Sequence, residues 1–523
     1  MEAKYLTLLS SLSLLAITPV LTANLALPSI FGDHMVLQRN QENRVWGWGE
    51  EGEKVSVSIN GQKHSTKANK KGRWEITLKP MTAGGPYKMK IDGYKNEFYF
   101  DDILVGEVWI CSGQSNMQWN VHKTDSAELD IITANYPEIR LISVPQVGTH
   151  KAKDDFNGQW ARCTPDLVKD FSAVGYFFGK RLYHALNVPI GLIDNAWGGS
   201  AAEAWIRRDA LEDNERYDEL MAWWENYENT YDDDIAQAQR RVEQKTFNET
   251  LKAWRDNGSQ GQRPRAPRNL LYGNQRPGNI YNGVLHPTIG YGIRGAIWYQ
   301  GESNASRAYQ YRDLFPLLIQ HWRDEWEQGN FPFYYVQLAD FRGEESEPGN
   351  ADWPELREAQ SMTMERLVNV GQAVIIDIGE GRDIHPRNKQ MVANRLARWA
   401  LARDYGFEIQ YQSPTYQSMK AEGNKIILSF DHVGQGLYSF DTPEPQGFSM
   451  AGKDKKFVWA DAEISSPNEV TVWSDQVSKP VAVRYAWANN PVCNMYSRDG
   501  LPMTPFRTDK WPGVTEGVEI RQR

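Results

Sequence analysis

Cysteine is nearly absent: the 523-residue chain carries Cys111, Cys163 and Cys493 and no other. Three widely spaced thiols, an odd number, do not make a disulfide scaffold or a thiolate metal site, so stability has to come from large apolar cores. Past residue 23 no apolar run approaches the ~20 residues that a membrane-spanning helix needs. A basic stripe is missing as well. Lys and Arg number 58 against 67 Asp and Glu, a net charge of −9, which argues against a surface that tracks nucleic-acid phosphates. Tryptophan, by contrast, is abundant at 20 residues. Some of these must be core, but indoles also stack on pyranose faces, so the composition leans toward a carbohydrate substrate.

The chain is too long for one core, and two or three domains are expected. Lys4, an apolar and small-residue run from Tyr5 to Leu21, and Thr22-Ala23 read as a cleaved signal peptide over 1–23, which implies a secreted or periplasmic protein. Residues 24–102 alternate in short runs such as Lys54–Ile59, with Asn60-Gly61 as a hairpin signal, and predict an antiparallel β domain. From 103 to 405 apolar strands alternate with amphipathic helices. The strand candidates are Leu104–Cys111, Arg140–Val144, Ile190–Asn195, Gly295–Tyr299, Phe333–Leu338 and Ala373–Ile378, the pattern of a doubly wound parallel sheet. A charged helical stretch interrupts that rhythm and reads as an insertion over about 207–285. Short β runs return over 406–523. Pro/Ser/Gly linkers are missing at both junctions, so the β segments are expected to pack on the α/β domain.

Four stretches carry chemistry. Ile103–Cys111 is a buried strand that ends at Gly113 and delivers Ser115 beyond its C-terminal end, where the crevice of an open parallel sheet lies. Gly191–Ser200 ends another strand in Gly198-Gly199, glycines that let backbone N–H groups approach a substrate oxygen. Ala296–Asn304 is a strand followed by a polar loop with two amides, Gln300 and Asn304, able to donate to a developing negative charge. Asp377–Lys389 holds His385 with acids close by. A serine needs a base, and an imidazole needs a carboxylate to fix its tautomer, so Ser115, His385 and Asp383 form a candidate triad in that combination. Asp377, at the end of an apolar run, is the rival acid. The two-residue spacing of Asp383 and His385 brings both side chains to one side if the segment is extended. On the precedent of buried triads, Asp383→Asn would then cost turnover up to about ten-thousandfold. No third ligand accompanies the Asp-x-His pair at metal-site spacing, and no metal or organic cofactor is called for.

Together, Gly-Gln-Ser-Asn-Met at 113–117, Trp-Gly-Gly at 197–199, Trp-Tyr-Gln-Gly-Glu-Ser-Asn at 298–304 and Asp-Ile-His-Pro with Lys389 at 383–389 resemble the SGNH hydrolase superfamily, in its sialate O-acetylesterase and acetylxylan esterase branch. The resemblance implies a three-layer α/β/α, flavodoxin-like catalytic domain with flanking antiparallel β-sandwich segments. It further implies Ser115 as nucleophile, His385 as base, and an oxyanion hole from Ser115 and the Gly198-Gly199 turn. Gln300 or Asn304 would add a donor, and Gln114 joins the substrate-binding set. The superfamily places its acid three residues before the histidine; Arg382 stands there in this chain, and Asp383 takes the role one residue later. The expected partner is an O-acetylated glycan, sialylated or of the xylan type. Arg207, Arg307 and Arg387 are candidates to anchor a sialate carboxylate, and Trp197, Trp205 and Trp298 to stack on a neutral sugar. Two readings compete: a carbohydrate-binding protein with an inactive hydrolase core, and a glycoside hydrolase using Glu302 and Asp383.

Overall fold

One strand, Glu97–Gly113, joins two parts of the molecule. Its first half alternates exposed and half-buried residues, and from Ile103 onward every residue is buried. The computed structural model describes residues 24–258, 264, 266, 267 and 269–520, so the leader read at 1–23 lies outside the described residues. The alternating half pairs antiparallel with Gly84–Asp92 of the N-terminal β domain. The wholly buried half pairs parallel with Ile190–Asp194 on one side and Gly295–Tyr299 on the other. Alternation suits a one-faced antiparallel strand and a continuous apolar run suits a strand covered on both faces, so one segment serves both sheets. The division drawn at 102/103 therefore falls inside a continuous strand.

The larger sheet runs in the order Val370–Ala373, Phe333–Val336, Gly295–Tyr299, Glu97–Gly113, Ile190–Asp194, Tyr136–Ser143 and Ala161–Cys163. The last strand alone is antiparallel to its neighbour. Helices Ala173–Leu186 and Lys389–Arg403 bury Phe178, Leu182, Leu396 and Ala400 against Trp109, Cys111 and Leu192 on one face. Helices Ala308–Trp326 and Asp352–Arg366 bury Leu318, Trp322 and Leu356 against Ile110, Ile193 and Trp298 on the other. This is the expected three-layer α/β/α arrangement.

The hairpin at Asn60-Gly61 forms with both residues at positive φ, +46° and +75°, joining Lys54–Ile59 to Gln62–Lys67 as a primed turn does. One strand moves. The edge strand is Val370–Ala373, and Ala373–Ile378 leaves the sheet after its first residue. Val374 and Ile376 point into the core of the C-terminal β part while Ile375 points into the α/β core, so the run serves as a seam. Arg357, wholly buried, seals that seam by donating to the carbonyls of Leu338, Ala339, Ala488 and Asn489. The inserted region contains helices Asp218–Asn229 and Asp233–Asp256, and the second buries no residue. Arg208 and Arg276 both hold Glu228, at 2.6 and 2.7 Å, which fixes the insertion at its base. Among the described residues no helix is long and apolar enough to cross a membrane.

Candidate active site

Gly113 has φ +133°, and a Cβ there would meet the Tyr299 carbonyl oxygen at 2.2 Å. Only glycine lets the central strand turn this close to its neighbour. The turn puts Ser115 at the first position of the short helix Ser115–Gln118, half-buried beyond the strand end. Its N–H, like the first donors of any helix, has no helical acceptor.

His385 comes from the loop between the sheet edge and helix Lys389–Arg403. Ser115 Oγ stands 2.9 Å from His385 Nε2, and His385 Nδ1 stands 3.1 Å from Asp383 Oδ1. Asp383 Oδ1 also accepts the His385 backbone N–H at 2.9 Å. The segment is thus bent as an Asx turn, not extended as the spacing argument had it, and the same oxygen orients backbone and ring. The loop is braced by Glu380, which accepts from the Arg387 backbone and side chain. Trp119 stacks flat on the imidazole, centroids 4.7 Å apart and planes 14° off parallel. Burial holds the His385 imidazole below the ordinary histidine value, with Asp383 pulling the other way and Lys389 and Lys123 adding to the depression. The ring is therefore neutral, and able to accept a proton, at neutral pH. The rival acid is placed elsewhere: Asp377 takes Arg395 at 2.5 and 2.6 Å and the Tyr496 hydroxyl at 2.9 Å, and serves the seam with the C-terminal part.

The Gly198-Gly199 turn lies against the serine. A Cβ on Gly198 would come within 3.3 Å of Ser115 Cβ. The Gly198 N–H donates to Gln118 Oε1 at 2.7 Å, whereas Gly199, at φ +72°, has an N–H with no acceptor among the described residues. Asn274 and Gln275, returning from the insertion, donate to the carbonyls of Gly198 and Gly199 and clamp the turn from outside.

The third block departs from expectation. The Gln300 amide donates to Ser200 O at 3.2 Å and Asn304 Oδ1 at 2.7 Å, and the Asn304 amide donates to Glu203 at 2.9 Å. Both side chains are shut off from solvent. They face inward because buried amides must find partners, and they support the tail of the glycine turn: Asn304 Oδ1 accepts the Ala202 N–H. Gln114 is better placed. Its amide oxygen accepts weakly from Gly301 and Ser303, and its NH2 has no acceptor among the described residues.

Beneath the serine, Asn116 Nδ2 donates to Glu302 Oε1 at 2.6 Å and to Ile384 O at 3.0 Å, and its Oδ1 accepts from Lys389 Nζ at 2.5 Å. Burial pushes Lys389 down to about 7 and Glu302 up from the ordinary carboxylate value. Both Glu302 oxygens are turned inward, Oε1 onto Asn116 and Oε2 shut off from solvent, which removes it from a glycoside-hydrolase pair. Trp205 and Trp298 are core residues, and Trp119 and Trp197 are the half-buried indoles next to His385 and Gly198. Asn116, Gln118, Trp119, Asn274 and Gln275 are site residues that sequence reasoning did not single out. For the first three, adjacency to Ser115 was the available signal.

A hydroxyl, an imidazole and a carboxylate in hydrogen-bonded series, at the C-terminal edge of a parallel sheet, put the molecule among the α/β/α hydrolases. The family profile described as carbohydrate esterase, sialic acid-specific acetylesterase, matches residues 105–246 and 276–397. The chain belongs to that family and is a carboxylic ester hydrolase. It is similar to the sialate O-acetylesterase of Mus musculus, 29% identical over 529 residues covering 91% of this chain and 93% of that one. The sialate O-acetylesterase of Homo sapiens is 29% identical over 540 residues, 94% of each chain. Among solved structures, a carbohydrate acetylesterase from Xanthomonas citri superposes with a TM-score of 0.78 at 36% identity, covering 93% of this chain and 100% of that one.

Proposed function

We propose that the protein is an exported serine esterase that removes O-acetyl groups from glycans, with sialic acids as the first substrate class. The observation that carries the mechanism is the series from Ser115 Oγ to His385 Nε2 at 2.9 Å and from His385 Nδ1 to Asp383 at 3.1 Å. His385 takes the Ser115 proton as the hydroxyl attacks the acetyl carbonyl. The Ser115 and Gly199 N–H groups hold the resulting oxyanion, and Gln114 contributes its free amide donors to substrate. His385 returns the proton to the departing sugar oxygen, then activates the water that hydrolyses the acetyl-enzyme. The intact series speaks against a binding protein with an inactive core. Export rests on the apolar run at 5–21.

Sialic acid follows from the names of the relatives. A second reading, a neutral acetylated glycan such as acetylxylan, is favoured by one observation: each arginine proposed as a carboxylate anchor is already ion-paired. Arg207 holds Asp209 and Glu325, Arg307 holds Glu203, and Arg387 holds Glu380 and Asp125. Acetate release from O-acetylated sialoglycan and from acetylxylan, measured with wild type and Ser115→Ala, tests both levels. Ser115→Ala should lose at least about a thousandfold in turnover with its fold intact; near-normal turnover would end the serine mechanism, and release from xylan alone would end the sialate reading.

A further inference from the structure

Lys389 and Asn116 are both buried, at 0% and 1% exposure, directly behind the nucleophile. A fully buried ammonium costs several kcal/mol unless its surroundings compensate. The direct partners of this one are a neutral amide, Asn116 Oδ1, and the faces of Tyr299 and Trp119, whose centroids lie 5.1 and 5.9 Å from Nζ. Its counter-charges stand further off: Glu302 across the amide, and Asp383 and Glu380 in the histidine loop. An apolar residue would fill this position at less cost, so the charge calls for a role at the site.

The connections suggest which. Asn116 follows Ser115 in the chain. Its Nδ2 donates to the carbonyl of Ile384, the residue preceding His385, and to Glu302, whose second oxygen has no partner among the described residues. One amide therefore ties the nucleophile turn, the loop after strand Gly295–Tyr299, and the histidine loop. An ammonium on its oxygen polarises the amide and strengthens both N–H donors. We infer that Asn116, held between Lys389 and Glu302, is a positioning residue that fixes His385 against Ser115, and that Lys389 supplies the charge that keeps it in register. This rests on the serine mechanism proposed above.

Lys389 also acts on the base directly. The groups facing His385 are Asp383 from its own loop, Trp119 and Lys123 from the segment after the nucleophile, Ser115, and Lys389 from the helix start. At the pH where His385 titrates, below the folded value of Lys389, the ammonium is charged and opposes the imidazolium. Removing it raises the histidine pKa.

The test uses Lys389→Met, Asn116→Ala and the isosteric Asn116→Asp in the full-length protein. Each is checked for folding by thermal melt, then assayed for kcat, KM and pH dependence on an aryl acetate and for the rate of covalent labelling by a fluorophosphonate. Lys389→Met and Asn116→Ala should lose roughly 30- to 300-fold in kcat and in labelling rate with KM within about threefold, the range expected when a base is slightly misplaced. Lys389→Met should also move the acid limb of kcat/KM upward by roughly half a pH unit, which a purely structural role would not do. Should Lys389→Met fail to fold, Asn116→Asp decides the matter: it keeps the contact with Lys389 and replaces the donor facing Ile384 O by an acceptor, so kcat should fall by a similar factor. Folded variants with kcat within threefold of wild type and an unmoved acid limb would overturn the inference. Ser115→Ala in parallel separates the two failures, since activity or labelling that survives there refutes the serine mechanism itself.

Discussion

Replacing Asp383 by Asn should slow the enzyme far less than the corresponding change in a buried triad. In such triads the amide presents a donor to Nδ1 and locks the imidazole in the wrong tautomer, which costs about ten-thousandfold. Here one oxygen, Oδ1, accepts both the His385 backbone N–H at 2.9 Å and the ring Nδ1–H at 3.1 Å. The backbone donor selects the rotamer, so an Asn amide oxygen takes the same place and the tautomer is kept. What disappears is the charge. The Asp383 side chain is 54% exposed, so its interaction with an imidazolium about 4 Å away is near the aqueous limit of about 1 kcal/mol and well under the ~4 kcal/mol expected at an effective dielectric of 20. A loss of about 1–2 kcal/mol in the transition state is about five- to thirty-fold in kcat. Without that negative charge the imidazole is less basic, so the acid limb of the pH profile shifts down. Asp377→Asn is the control. It strips the charge from a pair with Arg395 in which the side chains are 11% and 5% exposed, a change of about 3 kcal/mol in stability, with kcat expected within twofold. Steady-state kinetics on an aryl acetate and thermal melts of both variants decide the matter. A stable Asp377→Asn protein slowed a hundredfold beside a normal Asp383→Asn protein would refute the assignment of the acid.

Gly198→Ala should cut kcat by about tenfold or more with the melting temperature nearly unchanged, because its Cβ would meet Gln118 Oε1 at 2.8 Å and crowd Ser115 Cβ at 3.3 Å; burst kinetics with an activated ester would show the loss in acylation. In the wild-type protein log kcat/KM should rise with unit slope through a pKa below the ordinary histidine value of about 6.5, since burial disfavours the imidazolium and the base is neutral above that point, and should fall again above about 7, where Lys389 loses the charge on which the placing of His385 rests; an acid limb above 7 would contradict the burial argument.

How much of this was legible in the sequence depended on the distance over which a residue's role is decided. Strand Gly295–Tyr299 was bounded correctly from its apolar run, and the Asn60-Gly61 turn from its dipeptide, because both follow from local chemistry. Ser115, Asp383 and His385, which lie in hydrogen-bonded series, could be nominated because strand-end glycines and an Asp-x-His loop carry their geometry with them, although the bend that joins the last two is an Asx turn and not an extended segment. Gln300 and Asn304 illustrate the opposite case. Two amides after a strand read as oxyanion donors, but whether an amide faces substrate or interior is set by partners far away in sequence, here Ser200, Ala202 and Glu203. The run Ala373–Ile378 misled for a related reason: its apolar residues face two different cores, which periodicity alone cannot distinguish from a strand buried on both sides.

The family match itself divides chemistry from surroundings. It covers 105–246 and 276–397 and passes over 247–275. Ser115, Gly199, His385 and the Lys389–Asn116–Glu302 series all lie in the matched segments. Asn274 and Gln275, which hold the carbonyls of the glycine turn, lie in the gap, as does Tyr272, stacked on His150 with centroids 4.8 Å apart. Asn274 and Gln275, at the end of that segment, are hydrogen-bonded to the turn that lies against the nucleophile. Changes there reach the Gly199 N–H through its own peptide neighbours without touching the serine or its base. Preference among acetylated sugars is therefore best sought in the inserted region, and the esterase step in the strand ends beneath it.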